Sequence, residues 1–134
     1  MNVFTYGSLM YAGVWLRVVT GTYAQQKGVV RGFQRLRVNN EHYPGLIKGE
    51  GDVAGVVYID VSAGDMARLD QFEGELYRRE LVEVVVEDES RIQAFVYVIR
   101  DEFKGILGDT WSVEEFERQG LAEFVARYSG FERM

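Results

Sequence analysis

The N-terminal stretch Val3-Phe4-Thr5-Tyr6-Gly7-Ser8-Leu9-Met10 decides how the fold begins. Its first half is rich in β-branched and aromatic residues, which favours a β-strand. Because Gly7 has no Cβ, the chain can turn sharply there and expose consecutive N–H groups at the entrance to a helix. Such a turn is a suitable cradle for a carboxylate or an oxyanion. The same pattern also fits a turn without a functional role, in which Ser8 caps the helix that follows.

Outward from this stretch, five segments alternate apolar and polar residues at strand period or run as short β-branched and aromatic stretches. They are Asn2 to Tyr6, Gly28 to Val38, Val53 to Asp60, Tyr77 to Glu87, and Arg91 to Ile99. The acidic residues 87–90 between the last two predict the polar turn of an antiparallel hairpin.

Two helices are predicted by their caps as well as by their period. Ser112 and Glu115 form a capping box, followed by an apolar or close-packing stripe of Val113, Phe116, Gly120, Phe124 and Tyr128. A second helix begins near Ser62 and ends at Gly74, and a third, short one lies between residues 11 and 19. These elements predict an α+β fold with a small, mostly antiparallel, barrel-like sheet and flanking helices. With no repeat and no Pro/Ser-rich linker, residues 1–134 are expected to form a single domain.

Composition excludes several kinds of chemistry. The chain of 134 residues is 47% hydrophobic and 27% charged, which is typical of a folded domain. It contains no cysteine, which excludes disulfides, thiolate metal sites and a cysteine nucleophile. Its one histidine, His42, excludes the two-histidine helical zinc motif. Catalysis must therefore rest on carboxylates, hydroxyls, Lys or Arg, and backbone dipoles.

The net charge of the chain limits the classes of partner that we expect. A net charge of −6 disfavours nucleic acid and anionic membranes as partners. The first 50 residues hold six basic and two acidic side chains, a balance of +4, so the remainder carries −10. Either the two parts interleave in one fold, the favoured interpretation, or the basic part lines a pocket for a small anion. The N-terminus has no basic segment followed by a long apolar run, which predicts a cytoplasmic protein.

Glu73 is the candidate acid/base. Met66, Leu69 and Glu73 are spaced i, i+3 and i+7, so the carboxylate projects from an apolar helix stripe. Burial in an apolar cavity would raise its pKa towards neutrality, which suits a group that both takes and gives protons. In the competing interpretation, the helix ends by Phe72 and Glu73 is a surface residue or the partner of Arg78 or Arg79.

Other polar residues are weaker candidates. Asp70, three residues before Glu73, raises the alternative of paired-carboxylate glycoside hydrolysis, but it can equally bind nearby backbone groups or an arginine. His42, beside Tyr43 and Pro44 in an expected loop, is interpreted as a surface residue. The tyrosines in strand segments are expected to be core residues.

Four motifs together resemble the gamma-glutamylcyclotransferase-like family, in their order and spacing. They are Tyr6-Gly7-Ser8-Leu9, Tyr43-Pro44-Gly45-Leu46, Val53-Ala54-Gly55-Val56-Val57-Tyr58, and Leu69-Asp70-Gln71-Phe72-Glu73-Gly74 followed by Tyr77-Arg78-Arg79. The Leu-Asp-x-Phe-Glu-Gly form looks closest to the gamma-glutamylamine cyclotransferase branch. The stretch from Trp111 to Phe131, with Gly130, also resembles the closing helix of bacterial members.

The resemblance implies a small barrel whose mouth holds the Tyr6–Leu9 loop opposite Glu73. Members of known activity release the amine of a small gamma-glutamyl compound when the substrate's α-amino group closes 5-oxoproline, with no cofactor or metal. Glu73 would then be the general acid/base, the N–H groups of residues 7–9 would hold the substrate carboxylate or an oxyanion, and Tyr6 and Tyr77 would shape or hydrogen-bond the pocket.

Two points stay open in the sequence. Glutathione-acting and general gamma-glutamyl-amino-acid members tend to have Asn where this chain has Leu9, so the substrate is not identified. A non-catalytic module that binds a small carboxylate or an amino-acid-like metabolite in the same pocket is the alternative to an enzyme. The sequence does not indicate an oligomeric state.

Overall fold

The computed structural model describes residues 1–128, with side chains described as far as Ala126. The strands are β1 (Val3–Thr5), β2 (Gln25–Val38), β3 (Pro44–Tyr58), β4 (Tyr77–Val86), β5 (Arg91–Ile99) and β6 (Leu107–Thr110). The helices are α1 (Ala12–Val18), α2 (Ala63–Glu73), α3 (Val113–Glu115) and α4 (Leu121–Tyr128). Short 3₁₀ segments cover Ser8–Met10, Gly74–Leu76 and Asp101–Ile106, and a π-helical turn, Phe116–Gly120, joins α3 to α4.

Five strands close into a barrel within the described part of the chain. The sheet order is β3-β1-β5-β4-β2, and the pairing of β2 with β3 closes the ring, while β6 adds to β2 outside it. Strand β1 pairs parallel with β5, and the other pairs among these strands are antiparallel. The α+β fold and the mostly antiparallel barrel predicted from the sequence are therefore confirmed.

Two apolar clusters hold the barrel and the helices together. One consists of residues from the five barrel strands, including the fully covered Phe4, Val30 and Val96. The other joins the outer strand residues to the helices and includes Trp15, whose ring stacks on that of Tyr58 with centroids 3.6 Å apart. Because α2 packs into the second cluster, its C-terminal end is fixed beside the end of β1.

The structure changes several predicted boundaries. Strand β3 begins at Pro44 rather than Val53, because the glycine- and charge-rich residues 48–52, which are typical of a loop, pair with β2 across a bulge between Arg31 and Phe33. The four-residue strand β6 was not predicted at all, since it is too short for an alternating pattern.

The closing helix is also less regular than predicted. The capping box is present in part, because the Ser112 side chain accepts a hydrogen bond from the Glu115 N–H at 3.1 Å. The helix is interrupted by the π-helical turn, so the stripe predicted at α-helical spacing does not run straight. The predicted contributions of Tyr128, Gly130 and Phe131 lie outside the described side chains. None of the helices described here has the length and hydropathy needed to cross a membrane.

Candidate active site

A pocket of about 80 Å³ lies where β1 ends, between the C-terminal end of α2 and the beginning of β3. All six residues singled out in the sequence line it, although they come from three separate segments. The lining comprises Phe4, Thr5, Tyr6, Gly7, Ser8, Leu9, Tyr43, Pro44, Phe72, Glu73, Leu76, Tyr77, Tyr97 and Phe124. The topology explains this, because β1 and β5 are neighbours in the sheet and α2 leads into β4 beside them.

The turn after β1 presents its backbone to the pocket. A Cβ at Gly7 would lie 2.8 Å from the Cδ and Cγ atoms of Pro44, so a side chain at this position would collide with the opposite wall. The N–H groups of Met10 and Tyr11 are used within the turn, by the carbonyls of Gly7 and Ser8. Ser8 and Leu9 are the first residues of this turn, where N–H groups have no acceptor within the turn, and residues 7–9 all line the pocket.

Ser8 does not cap α1, contrary to the alternative interpretation of the sequence. It begins a 3₁₀ turn, and Tyr11 occupies the N-cap position of α1 without a side-chain hydrogen bond. The turn is therefore held by its backbone and by Pro44 rather than by a helix cap.

Glu73 is the last residue of α2, and the helix ends there because Gly74 adopts a φ of 75°. The Gly74 N–H bonds to the Asp70 carbonyl, which closes the last turn. Glu73 therefore keeps its place on the stripe with Met66 and Leu69. The interpretation that the helix ends earlier and leaves Glu73 as a surface residue is wrong.

The Glu73 carboxyl has a perturbed protonation equilibrium. Burial raises its pKa to about 8, and the nearby Asp70 carboxylate adds to the rise. The residue keeps some accessible surface, as expected of a group on the wall of a pocket that water can enter. Its oxygens accept no hydrogen bond and form no ion pair with the described residues, so no cation among these residues offsets the desolvation. An unpaired carboxyl that changes protonation near neutrality is suited to proton transfer.

Asp70 has the opposite environment, although it is only three residues away. Its Oδ1 accepts a hydrogen bond from the Tyr97 hydroxyl at 2.7 Å and lies 3.0 Å from the Arg79 Nε. The Arg79 guanidinium in turn lies over the Phe95 ring, 5.2 Å from its centroid. Asp70 is thus held as a paired carboxylate outside the pocket lining, which argues against the paired-carboxylate glycosidase alternative.

Tyr6 and Tyr77 frame the pocket with hydroxyls that are already engaged. The Tyr6 hydroxyl donates to the Tyr97 carbonyl at 2.6 Å, and the Tyr77 hydroxyl donates to the Pro44 carbonyl at 2.7 Å. Burial and the charge of Glu73 raise the pKa of Tyr6 well above its ordinary value. Both tyrosines are therefore placed to shape the pocket walls.

Arg35 supports the turn from outside the pocket. Its Nη1 donates to the carbonyl of Tyr6 at 2.9 Å and to that of Ala54 at 3.2 Å, and its guanidinium lies 5.1 Å from the Trp111 ring centroid. Among the described residues, no lysine or arginine lines the pocket. The basic residues of the first 50 positions therefore do not line this pocket; most lie on β2 and β3, which interleave with the rest of the barrel, and Arg17 lies on α1.

Several lining residues were not assigned to a site from the sequence. Tyr97 was expected to be core, and Phe124 was placed on a structural stripe, because an aromatic residue in a strand or helix gives no sign of which cavity it reaches. His42 lies outside the lining, with its Nε2 3.0 Å from Glu123 Oε2. Within residues 1–128, no three or more His, Asp and Glu side chains converge as a metal site would require.

Comparisons with known proteins give one family. The family described as gamma-glutamyl cyclotransferase, AIG2-like, matches residues 3–113. AIG2-like protein C of Arabidopsis thaliana is 30% identical over 132 residues, which cover 97% of this chain and 77% of the plant protein. The names of the plant relatives state no substrate, so the gamma-glutamylamine branch stays a prediction.

Solved structures of other proteins have the same fold as this chain. One solution structure of an Arabidopsis thaliana protein is 29% identical, with a TM-score of 0.71, and covers 98% of this chain and 90% of its own. A solved structure named gamma-glutamyl cyclotransferase is 16% identical, with a TM-score of 0.65, and covers 96% of this chain and 85% of its own. At that identity the second likeness shows the fold alone.

Proposed function

This chain belongs to the gamma-glutamyl cyclotransferase, AIG2-like family, and from that premise we propose that it converts a small gamma-glutamyl compound into 5-oxoproline and a free amine. Glu73 is the general acid/base of this reaction, and neither a metal nor a cofactor takes part. The observation that carries the proposal is the buried Glu73 carboxyl, with a pKa of about 8, in the same pocket as the turn of residues 7–9.

A single carboxyl can accept the proton that the substrate ammonium must lose. The α-ammonium group of a gamma-glutamyl compound lies beside a free carboxylate and is therefore less acidic than a peptide α-ammonium, whose pKa is about 8. The raised pKa of Glu73, about 8, narrows the difference between proton donor and acceptor. Transfer of this proton to the Glu73 carboxylate therefore costs less free energy than transfer to an ordinary glutamate, and it leaves a neutral amine, which can attack a carbonyl.

Ring closure and release then follow with the atoms in balance. The α-nitrogen forms a bond to the γ-carbonyl carbon, and the bond between that carbon and the leaving nitrogen breaks. The proton held by Glu73 passes to the departing nitrogen, and the regenerated carboxylate then takes the second proton that the α-nitrogen loses as it becomes the lactam N–H. This second proton passes to the released amine, which leaves as an ammonium ion, so the Glu73 carboxylate is restored and no water is consumed. N–H groups of residues 7–9 bind the substrate carboxylate or the developing oxyanion, and the aromatic walls hold the flexible substrate in its folded form.

The test is a 5-oxoproline assay of the purified protein with gamma-glutamyl amines, gamma-glutamyl amino acids and glutathione. Glu73→Gln is expected to lower turnover by a factor of about 10² to 10⁴, the usual contribution of general acid–base catalysis. The matched control is Glu75→Gln, because Glu75 is an exposed glutamate two residues away. Ligand binding without product in any reaction would replace the enzyme with the binding module.

A further inference from the structure

A second concavity, which we call the outer groove, lies on the outer face of the barrel. Strands β2, β3 and β4 form its floor, and Met10, Tyr11 and Val113 contribute to its walls. Its volume is about 720 Å³, within the range of about 300 to 1,000 Å³ that is usual for small-molecule sites. The outer groove and the Glu73 pocket share no lining residue. The groove is therefore a separate candidate site.

Strand register places a row of apolar side chains on the floor of the outer groove. Val29 of β2 pairs with Val85 of β4 on one side and with Ala54 of β3 on the other. These three residues keep accessible surface, whereas residues 30, 53 and 84, their neighbours along each strand, are buried in the barrel. The row therefore faces outwards, because successive side chains of a strand point to opposite faces. Outward positions of an antiparallel sheet are ordinarily polar, so this apolar row indicates a binding surface.

Arg35 places a cation at the Ala54 end of the apolar row. Its Nη1 donates to the Ala54 carbonyl at 3.2 Å and to the Tyr6 carbonyl at 2.9 Å, and its guanidinium lies 5.1 Å from the Trp111 ring centroid. The side chain is half-buried, and burial lowers the pKa of the guanidinium. Arg35 forms no ion pair with the residues that the structure describes. A partly desolvated guanidinium with further N–H donors favours an anionic ligand.

The acidic side chains that line the outer groove are engaged by other groups. Glu117 Oε1 accepts a hydrogen bond from the Tyr11 hydroxyl at 2.9 Å, and Glu87 Oε1 accepts one from the Lys27 N–H at 3.3 Å. Neither carboxylate is among the groups that alter the Arg35 pKa. A ligand carboxylate at Arg35 would therefore not have to displace either of them.

We infer that the outer groove binds a free medium-chain monocarboxylate, whose unbranched apolar chain lies along the apolar row and whose carboxylate binds Arg35. The row crosses two interstrand spacings, about 10 Å, which such a chain can cover. The valine side chains bury the chain, and the guanidinium provides charge-assisted hydrogen bonds at one end. A small ligand fits better than a second copy of this chain, because the apolar surface is concave and its cation lies at one end.

Arg35 also connects the outer groove to the turn of residues 7–9. The carbonyl that its Nη1 binds belongs to Tyr6, the residue before Gly7. A carboxylate bound to the same guanidinium restricts its motion, so the amide signals of Gly7 and Ser8 are expected to shift although neither residue lines the groove. The inference does not rest on the proposed function, because binding to the groove requires no reaction at Glu73.

The experiment titrates the purified protein with octanoate and, separately, with octanol, which has the same number of carbons and no charge. Amide and methyl NMR spectra give the site and the affinity. Octanoate is expected to shift the methyl signals of Val29, Val85 and Ala54 and to bind about tenfold more tightly than octanol, the usual contribution of a hydrogen bond to a charged group. Arg35→Met should weaken octanoate binding by about tenfold and octanol binding by less than about twofold. Arg35→Lys keeps the charge and should recover part of the loss.

The apolar row is tested by a second variant. Val29→Thr keeps a β-branched side chain but replaces a methyl group with a hydroxyl, and it should weaken binding of both probes by about threefold or more. The matched control is Leu81→Thr, because Leu81 is a 54% exposed apolar residue of β4 outside the lining of the groove. This control should leave both affinities unchanged.

Four results overturn the inference. They are equal affinities for octanoate and octanol, octanoate binding that Arg35→Met leaves unchanged, shifts confined to the residues of the Glu73 pocket, and no saturable binding of either probe. Sedimentation of the unmodified chain tests the other occupant. A dimer that Val29→Thr dissociates would show that a second copy covers the apolar row, which also overturns the inference. None of these results bears on the 5-oxoproline assay, so the two proposals fail separately.

Discussion

At the scale of single residues, Glu73 and Asp70 show how environment separates two carboxyls on one helix. Asp70 has a tyrosine hydroxyl at 2.7 Å and an arginine at 3.0 Å. Glu73 has neither, and burial raises its pKa to about 8. The sequence spacing predicted that Glu73 lies on the apolar stripe, but it could not show that Arg79 pairs with Asp70 instead. Which of the two carboxyls Arg79 reaches depends on the direction that β4 takes after the helix.

The first prediction concerns the pH dependence of activity. Since Glu73 must be ionised to take the ammonium proton, kcat/KM is expected to fall about tenfold per pH unit below the pKa of about 8. It falls again at higher pH, where the substrate ammonium loses its proton. Asp70→Asn removes the carboxylate that raises the Glu73 pKa, so the acid limb should move to lower pH by about 0.5 to 1 unit.

Glu75→Gln serves as the control for this shift, because Glu75 is exposed and lies in the adjacent turn. The profile of the control should superimpose on that of the unmodified chain. An acid limb that stays in place or moves to higher pH in Asp70→Asn would show that another group controls it.

The second prediction concerns Arg35. Arg35→Met removes both hydrogen bonds to the carbonyls of Tyr6 and Ala54, which frees the turn that carries the N–H groups of residues 7–9. A displacement of about 1 Å in such a site costs up to about 10²-fold in rate, and kcat/KM is expected to fall by about tenfold or more. Because Arg35 makes no contribution to the Glu73 pKa shift, the acid limb should stay in place. Arg35→Lys should recover part of the rate, and unchanged activity in Arg35→Met would contradict the assignment.

At the scale of elements, the sequence predicts those whose signals are local. The helix α2 was predicted from Ser62 to Gly74, and both ends agree with the structure because the Ser62 cap and the glycine stop act within one turn. The first half of β3 and all of β6 were missed, because their pairing with β2 depends on residues far away in the chain. The π-helical turn could not be predicted from spacing, since an α-helical period fits the same residues.

The third prediction concerns the anchor of α2. Asp65 is 1% exposed and accepts hydrogen bonds from the N–H groups of Thr20 and Gly21 at 2.9 Å and from the Tyr23 hydroxyl at 2.6 Å. Although burial alone would raise it, these bonds hold the pKa of Asp65 below its ordinary value. Asp65→Asn places an amide N–H₂ against one of these donors, and the free energy of unfolding should fall by about 2–3 kcal/mol.

Urea unfolding at pH 7 measures this loss, with the exposed Asp109→Asn as the control. A carboxylate with a lowered pKa stabilises the fold above its ordinary pKa and loses this effect as the pH falls through the folded-state value. The difference between Asp65→Asn and the unmodified chain should therefore shrink in acid. A difference that grows in acid would rule out the charged anchor.

At the scale of the whole molecule, closure of the barrel brings together residues that are distant in the chain. Tyr6 and Tyr97 are 91 positions apart and meet because β1 lies beside β5. The sequence motifs identified most of the pocket through the family resemblance, whereas Phe124 could be assigned to it only from the folded structure. Stability and function are also linked at this scale, because burial of the Glu73 carboxyl lowers the free energy of unfolding of the whole protein.

The fourth prediction measures that cost. The Glu73 pKa rises from an ordinary 4.5 to about 8 in the folded protein, so the folded state holds a proton that the unfolded chain releases. Between these two pH values, stability falls as the pH rises, and below pH 4.5 both states are protonated and the cost vanishes. Glu73→Gln is therefore expected to raise the free energy of unfolding by on the order of 3 kcal/mol at pH 8.5 and to change it little at pH 4. Urea unfolding at the two pH values measures both, and Glu75→Gln should show no such dependence. A more stable but inactive Glu73→Gln variant is the outcome expected if the buried carboxyl serves catalysis at a cost in stability. Equal stabilities of the variant and the unmodified chain at pH 8.5 would instead mean that the Glu73 carboxyl is hydrated and titrates normally.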